Sequence, residues 1–162
     1  MTIPGRRAWT ASAAVYALFL VCAAPIGLLT GLLRPSMPHL PPAQMIRVAF
    51  LIFLQPALVE EIVFRALLIP REAGAMPRRR LILVAGAALA VYVASHPLNA
   101  WLFRPQVLAV FASPAYLVLA TLLGAACTAA YLVSRSIWPS VVIHWLTVVT
   151  WLWFLGGQAL LC

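Results

Sequence analysis

The chain has no aspartate and no lysine, and only three of its 162 residues are acidic. Charged residues make up 9% of the sequence, whereas about 25% is usual for a soluble domain. The absence of aspartate excludes aspartyl chemistry, and no Gly-x-Ser-x-Gly segment supports a serine nucleophile. With 65% of residues hydrophobic, the composition predicts one bundle in lipid, with no room for a second soluble domain.

Paired cysteines and a basic face are also missing. The three cysteines have no regular spacing, so we expect small buried hydrophobic residues rather than a disulfide framework or a zinc motif; they are Cys22, Cys127 and Cys162. All eleven basic residues are arginines. They lie at segment ends rather than on one face, which argues against a nucleic-acid partner.

Five apolar segments reach the roughly 20 residues that a membrane-spanning helix needs. They cover approximately residues 8–33, 44–69, 81–103, 107–133 and 137–160, with prolines concentrated between them. The first segment is too long for a signal peptide and is interpreted as an uncleaved span. We therefore predict an all-α integral membrane protein, a bundle of about five transmembrane helices with a polar cavity. It forms a single domain over 1–162, with its motifs in 44–160.

The arginines predict the orientation of the bundle. With the N-terminus inside, seven arginines fall on the inner side, namely Arg6, Arg7, Arg71, Arg78, Arg79, Arg80 and Arg135. Three fall on the outer side, namely Arg34, Arg47 and Arg104. The positive-inside rule favours this arrangement, and we expect a bacterial cytoplasmic membrane with the N-terminus in the cytoplasm.

Glu60, Glu61 and Arg65 interrupt the apolar segment 44–69. A charge at the centre of a membrane helix costs about 2.5–3.5 kcal/mol on insertion scales, so such a cluster indicates a functional site. In a helix Glu61 and Arg65 share a face while Glu60 points elsewhere. We expect Glu61 and Arg65 to pair, which leaves Glu60 free, and Pro56 to kink the helix and open a cavity.

Two further spans carry an ionisable side chain, His96 and His144, whereas His39 lies in a proline-rich loop. Either histidine alone could be a packing residue, but three spans that each bury ionisable groups are best explained by one polar pocket. A carboxylate with two imidazoles suits water activation, with Glu60 as general base. The same set could bind zinc, although no HExxH places two ligands on one helical face.

These residues resemble three motifs of the CPBP family, the CAAX protease or Abi family of glutamic intramembrane proteases. Glu60-Glu61-Ile-Val-Phe-Arg65 is similar to its EExxxR motif, and Tyr92-Val-Ala-Ser-His96 to an aromatic residue four positions before a histidine. Trp138-Pro-Ser-Val-Val-Ile-His144 is similar to the third motif. The resemblance covers about residues 58–148.

The resemblance implies a helical bundle whose cavity hydrolyses peptide bonds without a cofactor. It implies that Glu60 activates water with help from His96, that Glu61 and Arg65 shape the site, and that His144 stabilises the oxyanion. Tyr92 enters as an auxiliary residue of the second motif.

One position departs from the family pattern. The third motif usually continues His-x-x-x-Asn or Asp, but here that position is Val148. Asn99, one turn past His96, is a candidate substitute. The depths of Glu60, His96 and His144 also differ along straight spans, so we expect the third span to break or tilt at His96-Pro97.

Three functions are therefore carried forward. The first is an endopeptidase that cleaves a membrane-embedded or membrane-anchored protein or peptide in the bilayer, near the inner leaflet. The second is a degenerate family member acting as a membrane scaffold or as an immunity or assembly factor, which Val148 favours. The third is a zinc-dependent membrane protease. Two runs of small residues, Gly27 to Gly31 and Gly124 to Thr128, predict close helix packing within one chain rather than a dimer.

Overall fold

The computed structural model describes residues 3–37, 40–70 and 76–161, and every regular element in these ranges is helical. The longer helices are α1 (Arg6–Leu29), α2 (Pro42–Ile52), α4 (Arg78–Phe103), α6 (Pro114–Ser134) and α7 (Ile137–Phe154). The short ones are α3 (Val59–Glu61), α5 (Leu108–Phe111) and α8 (Gly157–Leu161). The predictions for His39, Arg71 and Cys162 fall outside the described residues.

Four helices, α1, α4, α6 and α7, are long and apolar enough to cross a membrane. The chain is an all-helical membrane bundle, as predicted. The remaining predicted segment, 44–69, is not one long helix. Segment 44–69 is divided into α2, a π-helical stretch Phe53–Leu58, α3, and a second π-helical stretch Ile62–Leu67.

The division occurs beside Pro56. Gln55 leaves the helical region entirely, with φ −144° and ψ 120°. Proline disfavours helical geometry in the residue before it and has no N–H for the helical ladder. The kink expected at Pro56 is therefore present, and it is sharper than a bend in one continuous helix.

Of the two alternatives expected for the third span, a break at His96-Pro97 is wrong, while a tilt stays a prediction. Helix α4 continues through Pro97 as far as Phe103. Transmembrane helices tolerate an internal proline where neighbouring groups satisfy the freed carbonyl. The interruption of helical geometry is in segment 44–69, at Gln55, and not in α4.

Helix α6 is the centre of the bundle and packs against α1, α4 and α7. On one side Phe19 and Ala23 of α1 meet Cys127 and Ala130. Cys127 is buried, as expected, but the same expectation for Cys22 is wrong, because Cys22 is exposed on α1. Lipid can solvate a thiol on a face that no helix covers.

The arginines near the helix ends form two groups, one at each end of the bundle. The end of α1 lies beside the end of α7, since Trp151 Nε1 donates to the Leu32 carbonyl and Arg34 N–H to the Leu155 carbonyl. Leu81, near the start of α4, packs with Tyr131 and Ile137. Helices α1, α4 and α7 therefore all start at the same end of the bundle, which we call the basic end. This end carries Arg6, Arg7, Arg78, Arg79, Arg80 and Arg135. Arg34 and Arg104 lie at the opposite end.

Two glycines mark close contacts within the chain. A Cβ on Gly27 would collide with the side chain of Leu33. A Cβ on Gly124 would lie 2.6 Å from Leu89 Cδ1 and 2.8 Å from Tyr92 Cδ1. Gly124 therefore allows close packing between α6 and α4, as the sequence predicted, whereas Gly27 makes room for Leu33 in the turn after its own helix.

We expect Gly124→Ala to lower the thermal unfolding midpoint in detergent by roughly 2–10 °C, because overpacking costs about 1–3 kcal/mol. The Tyr92 ring is buried and cannot easily move away. Gly86→Ala in α4 is the control, since a Cβ there meets nothing within 4 Å. It should leave the midpoint unchanged or raise it through helix propensity. Equal midpoints for the two variants would contradict the packing assigned to Gly124.

Candidate functional site

A buried ion pair joins Glu61 and Arg65. Arg65 Nη1 lies 3.1 Å from Glu61 Oε1, and the two side chains are 1% and 0% exposed. This is the pairing expected from their i, i+4 spacing. Removing either charge would leave the other desolvated, which typically costs 3–5 kcal/mol.

Arg65 also connects the broken segment to two other helices. Its Nη2 donates to the Gly124 carbonyl of α6 at 2.9 Å. Its guanidinium carbon lies 4.6 Å from the centre of the Tyr92 ring of α4. A planar guanidinium can satisfy a carboxylate, a carbonyl and an aromatic face at once, which an ammonium group cannot.

His144 is held between the two glutamates. Its Nδ1 lies 3.0 Å from Glu61 Oε1, and its Nε2 lies 3.8 Å from Glu60 Oε2. A carboxylate paired with arginine only accepts hydrogen bonds, so His144 Nδ1 carries the proton of that bond. Glu61 thereby fixes the ring with Nε2 facing Glu60.

Glu60 differs from its neighbour in exposure. Its side chain is 22% exposed and lines a cavity, whereas Glu61 is fully buried. Among the described residues, Glu60 Oε2 has no hydrogen-bond partner. The two adjacent glutamates therefore have different environments, one within the protein core and one at a cavity wall.

His96 lies on the same cavity. Its Nδ1 donates to the Tyr92 carbonyl at 2.9 Å, so the ring is oriented by its own helix. Because a carbonyl only accepts, Nδ1 carries a proton and Nε2 is the nitrogen available to another group. Aromatic rings surround His96, with ring centres at 4.8 Å for Tyr92, 5.5 Å for Tyr116 and 6.2 Å for Phe111.

The cavity has a volume of about 600 Å³ and is walled mainly by apolar side chains of α1, α2, α4, α6 and α7. Its polar or titratable lining groups include Gln55, Glu60, Tyr92, His96, Asn99, Arg104, Tyr116, His144, Thr147 and Thr150. Val148 also lines it. On α4 the lining runs from Tyr92 to Arg104, so the cavity extends from the glutamates towards the opposite end.

Gln55, Tyr116 and Arg104 line the cavity, although no sequence motif identifies them as site residues. Gln55 is a polar residue directly before a proline in an apolar segment, and this combination could have identified it. Arg104 was counted only as a topology signal. Nothing in the local sequence of Tyr116 distinguishes it from an interfacial aromatic residue.

Zinc does not fit the residues that the structure describes. The possible ligand atoms that come together belong to Glu61, Cys127 and His144, within 4.8 Å of one another, and His96 is not among them. Arg65 already lies against the Glu61 oxygen that faces His144. Cys127 Sγ contacts the Ser140 carbonyl at 3.6 Å as a protonated donor. A zinc ion would have to displace the guanidinium and bind a thiolate instead.

The fold and the site together define an integral membrane protein with a glutamate–histidine centre in an intramembrane cavity. A family model described as type II CAAX prenyl endopeptidase Rce1-like matches residues 41–150. This match covers more than half of the chain, and the chain belongs to that family. Membership implies a CAAX-type intramembrane peptidase. No curated protein and no solved structure matches the chain.

We expect Arg65→Lys to lower the thermal unfolding midpoint by roughly 3–12 °C. Lysine cannot keep the ion pair with Glu61, the hydrogen bond to Gly124 and the aromatic contact together, and a hydrogen bond from a charged group contributes about 1.5–3 kcal/mol. Arg47→Lys is the matched control, because Arg47 is an exposed arginine of α2. If the two substitutions had equal effects on the midpoint measured in detergent, the assigned role of Arg65 would be wrong.

Proposed function

We propose that the protein is an intramembrane endopeptidase in which Glu60 activates water to attack a substrate peptide bond. The observation that carries the proposal is the difference between the two glutamates. Glu61 pairs with Arg65 and His144. Glu60 instead lines the cavity, and its Oε2 lies 3.8 Å from His144 Nε2. A carboxylate available to water beside an oriented imidazole is suited to general-base chemistry.

In the proposed reaction Glu60 takes a proton from a water molecule as its oxygen attacks the scissile carbonyl carbon. The carbonyl becomes an oxyanion, and the C–N bond breaks as the proton held by Glu60 passes to the amine. His96 Nε2 assists by accepting a hydrogen bond from the water. His144 Nε2, when protonated, donates to the oxyanion, in the manner of preorganised oxyanion donors.

Asn99 is proposed as a second oxyanion donor in place of the amide or acid that Val148 replaces. Asn99 and Val148 both line the cavity, and Val148 is one turn beyond His144. The proposal needs no cofactor. The arginine beside Glu61 argues against zinc, because it repels a divalent cation from the only cluster of possible ligands within the described ranges.

The proposed substrate is a membrane-embedded or membrane-anchored protein or peptide, since the cavity walls are apolar and lie within the bundle. The grouping of arginines at the basic end supports an N-terminus on the cytoplasmic side. A bacterial origin stays a prediction. A scaffold or immunity role is the second candidate, and Val148 is the observation that favours it.

We expect Glu60→Gln to lower the rate of processing by about 10²–10⁴-fold, the usual contribution of a general base. The change removes a basic oxygen while keeping the size of the side chain. The measurement compares protein termini in membranes from cells that express the wild type or the variant at equal levels. Wild-type-dependent termini identify the substrates and should be lost in the variant.

Two controls accompany this comparison. The unfolding midpoint of Glu60→Gln should equal that of the wild type, since Glu60 makes no ion pair with arginine in the described structure. Processing by the purified protein should persist in a zinc chelator. Identical termini in both membranes would favour the scaffold, and loss of activity in the chelator would favour the zinc protease.

We expect Asn99→Ala to lower kcat by up to about 10²–10³-fold, the effect of removing one oxyanion donor. Adding Val148→Asn to that variant should restore much of the lost rate by returning an amide one turn after His144. Thr150→Ala is the control, a polar cavity residue with no proposed role. Full activity of Asn99→Ala in a single-turnover assay would show that Asn99 is not an oxyanion donor.

A further inference from the structure

Glu61 has one buried oxygen that makes no hydrogen bond. Its Oε1 is shared by Arg65 Nη1 at 3.1 Å and His144 Nδ1 at 3.0 Å. Its Oε2 is also buried, and among the residues that the structure describes it has no hydrogen-bond partner. An ionised carboxylate accepts hydrogen bonds at both oxygens, and a buried acceptor without a donor is strongly disfavoured. Glu61 therefore requires a further donor close to its side chain.

The thiol of Cys127 lies beside this carboxylate. One oxygen of Glu61, the sulfur of Cys127 and a ring nitrogen of His144 all lie within 4.8 Å of one another. Cys127 and Glu61 are both 0% exposed. A thiol has one proton to donate, and rotation about the Cβ–Sγ bond redirects that proton without moving the sulfur. Cys127 is therefore placed to donate to Glu61.

The acceptor that the thiol contacts in the structure, the Ser140 carbonyl, does not depend on it. Cys127 Sγ lies 3.6 Å from that carbonyl. Ser140 is four residues before His144 in α7, so the helical ladder supplies the same carbonyl with the backbone N–H of His144. A second bond joins the two helices, from Ser140 Oγ to the Cys127 carbonyl at 2.9 Å. The Glu61 carboxylate is the stronger acceptor for the thiol, because it is charged.

A donor at Oε2 would hold the Glu61 carboxylate in one orientation. The terminal torsion of a glutamate side chain is broad, so a carboxylate held at one oxygen can turn about its Cγ–Cδ bond. Such a turn moves Oε1 relative to His144 Nδ1, and the opposite nitrogen of that ring is the proposed oxyanion donor. The position of His144 Nε2 therefore depends on how firmly Glu61 is held.

We propose that Cys127 is a positioning residue whose thiol turns from the Ser140 carbonyl to donate to Glu61 Oε2, and thereby keeps His144 aligned for catalysis. The proton stays on the sulfur, and Cys127 does not touch the substrate. This inference rests on the proposed peptidase function and adds a residue of α6 to its site.

The test measures kcat and KM of the purified full chain in detergent, with a fluorogenic peptide that spans a processing site found in membranes. We expect Cys127→Ala to lower kcat about 3–10-fold, the scale of one hydrogen bond, with KM unchanged. Cys127→Ser keeps a donor at the same position and should retain kcat within about twofold of the wild type. Cys22→Ala is the matched control and should behave as the wild type, because Cys22 is exposed on α1.

A second control separates this role from helix packing. Ser140→Ala removes the other hydrogen bond between α6 and α7 and leaves the thiol beside Glu61. It should lower the thermal unfolding midpoint while kcat stays within about twofold of the wild type. If Ser140→Ala lowered kcat as much as Cys127→Ala, the thiol would act through packing of the two helices, and the proposal would be overturned.

The remaining outcomes distinguish this inference from the function on which it rests. Wild-type kcat in Cys127→Ala, in an assay where the wild type cleaves the peptide, would overturn the role of Cys127 and leave the peptidase intact. Equal losses in Cys127→Ser and Cys127→Ala would also overturn it, since a hydroxyl can donate where the thiol does. Absence of cleavage by the wild type, together with unchanged termini in membranes, would remove the proposed function and the inference with it.

Discussion

The buried pairing of Glu61 with Arg65 is the constraint on which the rest of the structure depends. Two desolvated charges in a lipid-embedded bundle must satisfy each other and their remaining hydrogen bonds, or the segment that carries them cannot stay inside. Glu61 also holds His144, and Arg65 also donates to the Gly124 carbonyl and lies against the Tyr92 face. One ion pair thus fixes α4, α6 and α7 around the broken segment and sets the environment in which Glu60 lies.

The architecture around that pair follows from two local features. Small residues along α6, with Gly124 at the closest approach, let the Tyr92 ring and the Arg65 side chain come near the helix backbone. On the other side, the departure of Gln55 from helical geometry removes the wall that a continuous second span would have provided. Non-helical backbone at membrane depth is tolerated where it lines a cavity, and Gln55 does line one. The cavity and the close packing are therefore two parts of one arrangement around α6.

Much of this could be predicted from the sequence, because hydrophobic length and charge scarcity are strong signals in membranes. The helical class, the four continuous spans, the kink at Pro56 and the Glu61–Arg65 pair all follow from local rules. The errors arise where tertiary surroundings decide. Pro97 breaks nothing because α4 accommodates it, while Pro56 divides its segment completely, and the two prolines look alike in sequence. Arg104 looks like a membrane-edge residue in the sequence, because no local pattern indicates that the cavity reaches that far.

Glu61 Oε1 contacts both Arg65 and His144, and this shared oxygen has a consequence for biosynthesis. The contact forms only when the broken segment, α6 and α7 have all come together, because Arg65 is held by α6 and His144 belongs to α7. Until α7 has been inserted, the two glutamates lack the imidazole of His144. In the proposed mechanism a chain that has not yet inserted α7 lacks its oxyanion donor and is consequently inert, and the entry of α7 completes the site. The order of residues along the chain thus acts as a safeguard for the cell that makes the enzyme.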